Sequence, residues 1–310
     1  MSKYLIENLF GIEGWSIAWY GVIIAVGMVL GVILAIYRAR KQGLKDDLIF
    51  DFILLALPIA IVCARGYYVV FEWNSYSGDI LSIFKIWKGG LAIYGGVIGG
   101  LVTAILFCRH HKFPLFRFLD LVVPSLVLGQ AIGRWGNFVN QEAFGNLVTD
   151  SSLQFFPYAV YIDVLGEWHQ ATFFYESMWN VCLLIAMLIV SRKKPKTGTL
   201  TCMYFVIYGL GRFFFEWIRT DKLYIPGTKV GISLVISAIL FAVFMPVVII
   251  RRVMAQKRDT IRRQRKKRFL DESVKEKQMF PETSEMKPEP EIRPEMDEQV
   301  KPDVGTSPTN

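Results

Sequence analysis

Long unbroken apolar blocks, rather than strict alternation or a 3.6-residue stripe, organise the first 250 residues of this chain. A helix that crosses a bilayer needs about 20 consecutive, mostly apolar residues. Seven blocks approach that length: Ile17–Tyr37, Ile49–Phe71, Gly89–Phe107, Phe118–Trp135, Thr172–Val190, Leu200–Phe215 and Gly231–Ile250. The fourth and sixth are short and carry arginine. Pro124, Gly129, Gly133 and Gly136 fall in or beside the fourth, which predicts a kinked or broken helix there. The pattern predicts an all-α membrane protein with seven transmembrane helices.

Charge orients the spans. Segments at alternate ends of the blocks (Arg38–Lys45, Arg109–Arg117, Arg192–Lys196 and Arg251–Arg268) hold 21 Lys and Arg, whereas the opposite ends, including Glu72–Lys88, 137–169 and Glu216–Lys229, hold 6. The positive-inside rule then puts the N-terminus outside and the C-terminus in the cytoplasm. The net charge of +8 reflects this topology and attraction to anionic headgroups, so no nucleic-acid partner is expected. The first block is followed by its positive cluster, so no cleavable signal peptide is expected.

The chain is 53% hydrophobic, and its long apolar blocks all lie in residues 1–250, the expected transmembrane domain. Residues 251–268 form a basic juxtamembrane segment. From 269 to 310 the chain is rich in Glu, Lys and Pro, with six of its 13 prolines, and is expected to be disordered. The four cysteines are widely spaced and read as free thiols. With three histidines and no ligand cluster, neither a metal nor a cofactor is expected.

The chemistry concentrates in Gly133-Arg134-Trp135-Gly136-Asn137-Phe138-Val139-Asn140-Gln141-Glu142-Ala143-Phe144-Gly145, where the fourth block ends on the outer side. Glycines permit close backbone approach. Arginine with asparagines suits an anionic oxygen cluster, and Glu142 can orient that arginine or move a proton. An arginine at mid-span costs ~2.5–3.5 kcal/mol on insertion scales, so each calls for a partner. Arg212, Glu216 and Arg219 recur at helical spacing on one face, also toward the outer side. Arg134 and Arg212 reaching one outward-facing polar cavity would suit a phosphodiester. The residues alone thus leave open an enzyme or a carrier acting on an anionic lipid. Gly89–Gly100 contains two overlapping GxxxG pairs, Gly95/Gly99 and Gly96/Gly100, expected to pack helices closely around Tyr94.

Taken together these motifs resemble bacterial prolipoprotein diacylglyceryl transferases. The family signature G-R-x-G-N-F-[I/L]-N-x-E-x-x-G is matched from Gly133 to Gly145, with Val139 the one departure. Further similar runs are Trp19-Tyr20-Gly21, Ala64-Arg65-Gly66-Tyr67-Tyr68, Gly89 to Gly96, His169 to Glu176, and Tyr208 to Glu216; the likeness covers roughly residues 10–250. It implies a seven-span enzyme of the bacterial cytoplasmic membrane. Its activity would be to move the diacylglyceryl group of phosphatidylglycerol to the lipobox cysteine thiol of a preprolipoprotein signal peptide, forming a thioether and releasing glycerol phosphate. By that likeness Arg134 and Arg212 hold the lipid phosphate, and Glu142 and Glu216 orient arginines or transfer protons. Asn137, Asn140 and Gly145 shape the headgroup site, and Tyr20 and Tyr208 line the cavity. Arg65, His169 and Glu176 join them as candidates for substrate binding.

The departures concern the base. Some family members carry a histidine where this chain has Tyr94, and another where it has Ala18. Glu142, Glu216 or Tyr94 is then the candidate for accepting the thiol proton. The competing reading, a transporter or flippase of an anionic lipid, favours paired halves, and the sequence has no internal repeat.

Overall fold

The structure, a computed structural model, describes residues 3–7, 16–220 and 231–279. It divides into two compact units, Met1–Arg252 and Val253–Asn310. The first opens with a minimal antiparallel pair, β1 (Tyr4–Ile6) and β2 (Ile17–Ala18), followed by α1 (Trp19–Lys41), α2 (Asp47–Phe71) and a single turn, α3 (Trp73–Tyr76). Two 3-10 turns lead to α4 (Ile93–His110) and α5 (Leu115–Asn140). A hairpin of β3 (Ala159–Ile162) and β4 (Glu167–Gln170) precedes α6 (Thr172–Arg192), α7 (Thr199–Ile218) and α8 (Ile232–Met279). Helices dominate, and the two small sheets are the one addition to the all-α expectation.

Each apolar block lies on a helix, and among the described residues six helices are long and apolar enough to cross a membrane: α1, α2, α4, α5, α6 and residues Ile232–Ile250 of α8. Helix α7, on the sixth block, is not among them, because Arg212 and Glu216 lower its hydropathy. The chain is a multi-pass membrane protein. Large apolar side chains such as Val29, Leu54, Val62 and Ile185 are exposed on the helix exteriors, as lipid-facing surfaces require. Of a kink or a break in the fourth block, a break is absent: α5 runs through Pro124 and ends only at Asn140.

Packing is closest between α1 and α5, α2 and α4, and α5 and α6, with α7 against α5 and α6. Small residues make this possible. A Cβ on Gly31 of α1 would sit 3.2 Å from the Ser125 carbonyl of α5. On α4, a Cβ at Gly95 would lie 2.6 Å from Tyr67 Cβ, and one at Gly99 would lie 2.8 Å from Cys63 Cβ. Gly95/Gly99 is therefore the pair at the α2 contact, whereas Gly100 faces open space.

The apolar core gathers at one end of the bundle, where Ala39, Ile49, Phe107, Phe118 and Leu121 are buried together. Buried Arg38 is satisfied there by the carbonyls of Asp120 and Leu121 at 3.0 and 3.1 Å. The Asp120 carboxylate caps α7 from a distance, accepting from the Gly198 and Thr201 amides and the Thr201 hydroxyl. This answers the unsatisfied donors of a helix N-terminus. From Phe118 to Arg134, α5 rises about 24 Å, so the polar site lies at its opposite end.

Helix α8 continues through the basic segment to Met279, whereas disorder was expected from Phe269 onward. Residues 269–279 contain Leu, Glu, Lys, Gln and Met, all good helix formers, and no proline. The first tail proline is Pro281. The rest of the acidic tail, 280–310, lies outside the described residues, as do Lys222 and Lys229 of the outer charge count.

The close approach of α2 and α4 predicts asymmetric effects of a single methyl group. Gly95→Ala is expected to lower the stability of the detergent-solubilised protein by about 1–3 kcal/mol through overpacking. Gly100→Ala should leave the thermal unfolding midpoint unchanged or raise it.

Candidate active site

The Gly133–Gly145 motif is the last two turns of α5 and the turn that ends it. Asn140 closes the helix, and Gln141 adopts the left-handed conformation at φ 52°. Its amide reaches the β3–β4 turn, donating to Asp163 Oδ2 at 2.6 Å while its carbonyl oxygen accepts from the Asp163 amide at 3.0 Å. That hydrogen bond holds the Asp163 carboxyl below its ordinary pKa. Ala143 is also left-handed, and its carbonyl accepts from the Thr172 hydroxyl at the head of α6. A Cβ on Gly145 would lie 2.8–2.9 Å from Gln170, Ile218 and Thr172, so glycine allows this turn to seat against both α6 and α7.

These contacts aim α5, α6 and α7 at one another. Trp135 Nε1 donates to Ser177 Oγ at 3.2 Å, and that hydroxyl donates to the Ala131 carbonyl at 2.9 Å. Trp179 Nε1 donates to the Ile207 carbonyl at 3.1 Å, and its indole lies where a side chain on Gly211 would be.

At the convergence stands Glu176, 3% exposed. Its Oε2 lies 2.6 Å from Arg134 Nη2 of α5 and 3.1 Å from Arg212 Nη1 of α7. Its Oε1 is 3.7 Å from Arg219 Nη1, just beyond α7. Arg212 also pairs with buried Glu216 one turn on, at 3.2 Å. Among the described residues this cluster brings three guanidiniums to two carboxylates, an excess of positive charge suited to an anion. Beside it a small cavity of about 10 Å³, room for about one water, is lined by Glu176, Asn180, Tyr208 and Arg212 among others.

Glu142 lies apart from the arginine–Glu176 cluster. It is exposed and accepts from Asn137 Nδ2 at 2.9 Å and Asn140 Nδ2 at 3.5 Å. Tyr20, 38% exposed, lays its ring over Gly136, where a Cβ would come within 2.8 Å, and it feels the charges of Glu142 and Arg134. Tyr208 stacks on Tyr204 at 5.1 Å and borders the cavity. Tyr94 brings its hydroxyl to 3.4 Å from Ser233 Oγ, which accepts from Arg212 Nη2 at 3.2 Å. Ser233, at the start of α8, thereby joins α4 to α7. Sequence reasoning missed it, because a lone serine at a helix start is ordinary.

Two candidates lie elsewhere. Buried Arg65 donates to four backbone carbonyls, those of Ser82, Ile83, Gly89 and Gly90, all at 2.8–2.9 Å. It shapes the loop between α2 and α4. His169, 6% exposed, donates through Nδ1 to the Gly145 carbonyl at 2.9 Å and packs its ring, tilted, against Phe144. Its Nε2 lies 3.4 Å from Glu167 Oε2 without a hydrogen bond. It thus ties β4 to the end of the motif.

Sequence comparison identifies the setting of this geometry. The sequence model of prolipoprotein diacylglyceryl transferases matches residues 7–250. The chain belongs to the prolipoprotein diacylglyceryl transferase family. It is 43% identical over 244 residues to the phosphatidylglycerol–prolipoprotein diacylglyceryl transferase of Bacillus velezensis, covering 77% of this chain and 89% of that one. The enzymes of the same name from Ligilactobacillus salivarius and Listeria innocua are 42% and 44% identical, again over 77% of this chain and 90% and 87% of theirs. The family match ends at Ile250, so the basic segment and acidic tail of this transferase-family chain lie beyond it.

Arg65 offers a direct measurement. Arg65→Ala leaves four carbonyls without their donor, at about 1–3 kcal/mol for each that stays buried. Amide exchange across residues 80–92 is expected to accelerate by at least tenfold, with little change around Glu176.

Proposed function

We propose that this chain transfers the diacylglyceryl group of phosphatidylglycerol to the thiol of a lipobox cysteine in a prolipoprotein, releasing glycerol phosphate. The observation that carries the proposal is the meeting of Arg134 and Arg212, from different helices, on one buried carboxylate. Two converged guanidiniums match a phosphate group, and family membership names the lipid that would bring it.

In this reading the phosphate of phosphatidylglycerol binds to Arg134 and Arg212. Asn137, Asn140, Gly145, Tyr20 and Tyr208 border the headgroup, and Arg65 and His169 hold the loops that frame it. The thiol sulfur attacks the diacylglyceryl carbon bonded to phosphate oxygen. A C–S bond forms as the C–O bond breaks, and the electron pair leaves on glycerol phosphate, whose added charge the guanidiniums stabilise. Glu142 accepts the thiol proton, because Glu216 and Glu176 are engaged by arginines while, among the described residues, Glu142 accepts from the neutral amides of Asn137 and Asn140. Tyr94, linked through Ser233 to Arg212, orients that guanidinium.

The site would open to the outer face of the bacterial cytoplasmic membrane. Helix α7 counts as a seventh span: its 20 residues reach about 30 Å, and Arg212 turns toward Glu176 and Glu216 toward Arg212 rather than lipid. With seven spans and the basic segments inside, the N-terminus is outside. The transporter reading has no supporting observation.

The test is incubation of purified protein with phosphatidylglycerol and a lipobox peptide. Release of glycerol phosphate is expected, with a peptide mass gain of one diacylglyceryl group that a Cys→Ser peptide does not acquire. Arg134→Ala and Arg212→Ala should each lower turnover by ~10²–10³-fold, with the protein still present in the membrane. Near-normal activity in the double variant overturns the phosphate assignment. Glu142→Gln should lower kcat by ~10²-fold or more.

A further inference from the structure

Glu176 is unusual among buried carboxylates in the number of cations it serves. A buried ion pair is commonly one-to-one, because each desolvated charge demands its own compensation. Here one carboxylate on α6 contacts guanidiniums from α5, from α7 and from the residue just past α7, and a single oxygen, Oε2, receives both Arg134 and Arg212. Sharing one oxygen holds those two arginines within the span that two oxygens of a phosphate would offer them. Neither Glu142 nor Glu216 bridges these two helices in this way.

We propose that Glu176 is the positioning residue of the phosphate site. It holds Arg134 and Arg212 converged before the lipid arrives, and its negative charge limits how tightly the released phosphate product is held. This rests on the reading that those arginines bind the phosphate of phosphatidylglycerol. Two consequences follow from removing the charge while keeping the shape. The guanidiniums repel one another and lose alignment, which slows the chemical step. The local charge rises by one, whatever the neighbours, so an anion is bound more tightly. A residue that served only to hold the helices together would weaken both turnover and anion binding.

The experiment compares wild type, Glu176→Gln and Glu176→Asp in the same detergent, reading kcat, KM for phosphatidylglycerol and inhibition by added glycerol phosphate. For folded Glu176→Gln, kcat is expected to fall ~10–100-fold. KM should stay at or below the wild-type value, and glycerol phosphate should inhibit at concentrations at least about fivefold lower. Unchanged or weakened inhibition overturns the proposal. Should Glu176→Gln fail to accumulate, Glu176→Asp decides: it keeps the charge but shortens the reach, so kcat falls while inhibition stays within about twofold of wild type. Wild-type kcat in that variant, or a larger change in inhibition, equally overturns it. Absence of transfer by wild type would instead sink the transferase reading itself.

Discussion

The structure of the candidate site depends on one buried carboxylate surrounded by guanidiniums. Glu176 sits at 3% exposure between α5 and α7, and three arginines converge on it. Removing one partner of such a buried cluster ordinarily costs 3–5 kcal/mol, because the remaining charge is left uncompensated. The neighbouring contacts follow from this demand. Ser177 ties α6 to the Ala131 carbonyl of α5, Gly211 admits Trp179, and Gly145 lets the turn after α5 close over both helices. Each brings backbone close enough for short charge-assisted hydrogen bonds to form away from water.

The buried arginines of this protein are satisfied in two different ways, and the difference separates architecture from chemistry. Arg38 and Arg65 donate to backbone carbonyls, which are fixed by the fold and neutral. Nothing in such a site calls for an anion. Arg134 and Arg212 instead meet carboxylate oxygens, acceptors of the same kind and charge that a phosphate presents. An incoming phosphate can share these donors without leaving them unsatisfied in between. The exterior meets the opposite demand: its apolar side chains need no partner in lipid, so the polar groups are gathered inside.

The apolar blocks alone determined where the long helices lie, because a bilayer leaves few alternatives to a helix of about 20 apolar residues. Each of the seven blocks carries one. The Gly133–Gly145 signature likewise carries the family likeness by itself, and the in-helix pair Arg212–Glu216 follows from spacing of four. What spacing could not give is the rotation of one helix against another. The motif's own Glu142 looked the natural partner for Arg134, eight residues away, yet the left-handed Gln141 turns the chain so that Glu142 meets Asn137 instead. Glu176, 42 positions on from Arg134, takes that place because α6 packs against α5 with Ser177 and Glu176 facing inward. Arg65 and Ser233 were decided in the same way, by which neighbours could supply or accept hydrogen bonds once the helices were packed. Local composition sets which segments leave water. Only tertiary packing decides which buried charge answers which, since that pairing is a property of distance and not of order along the chain.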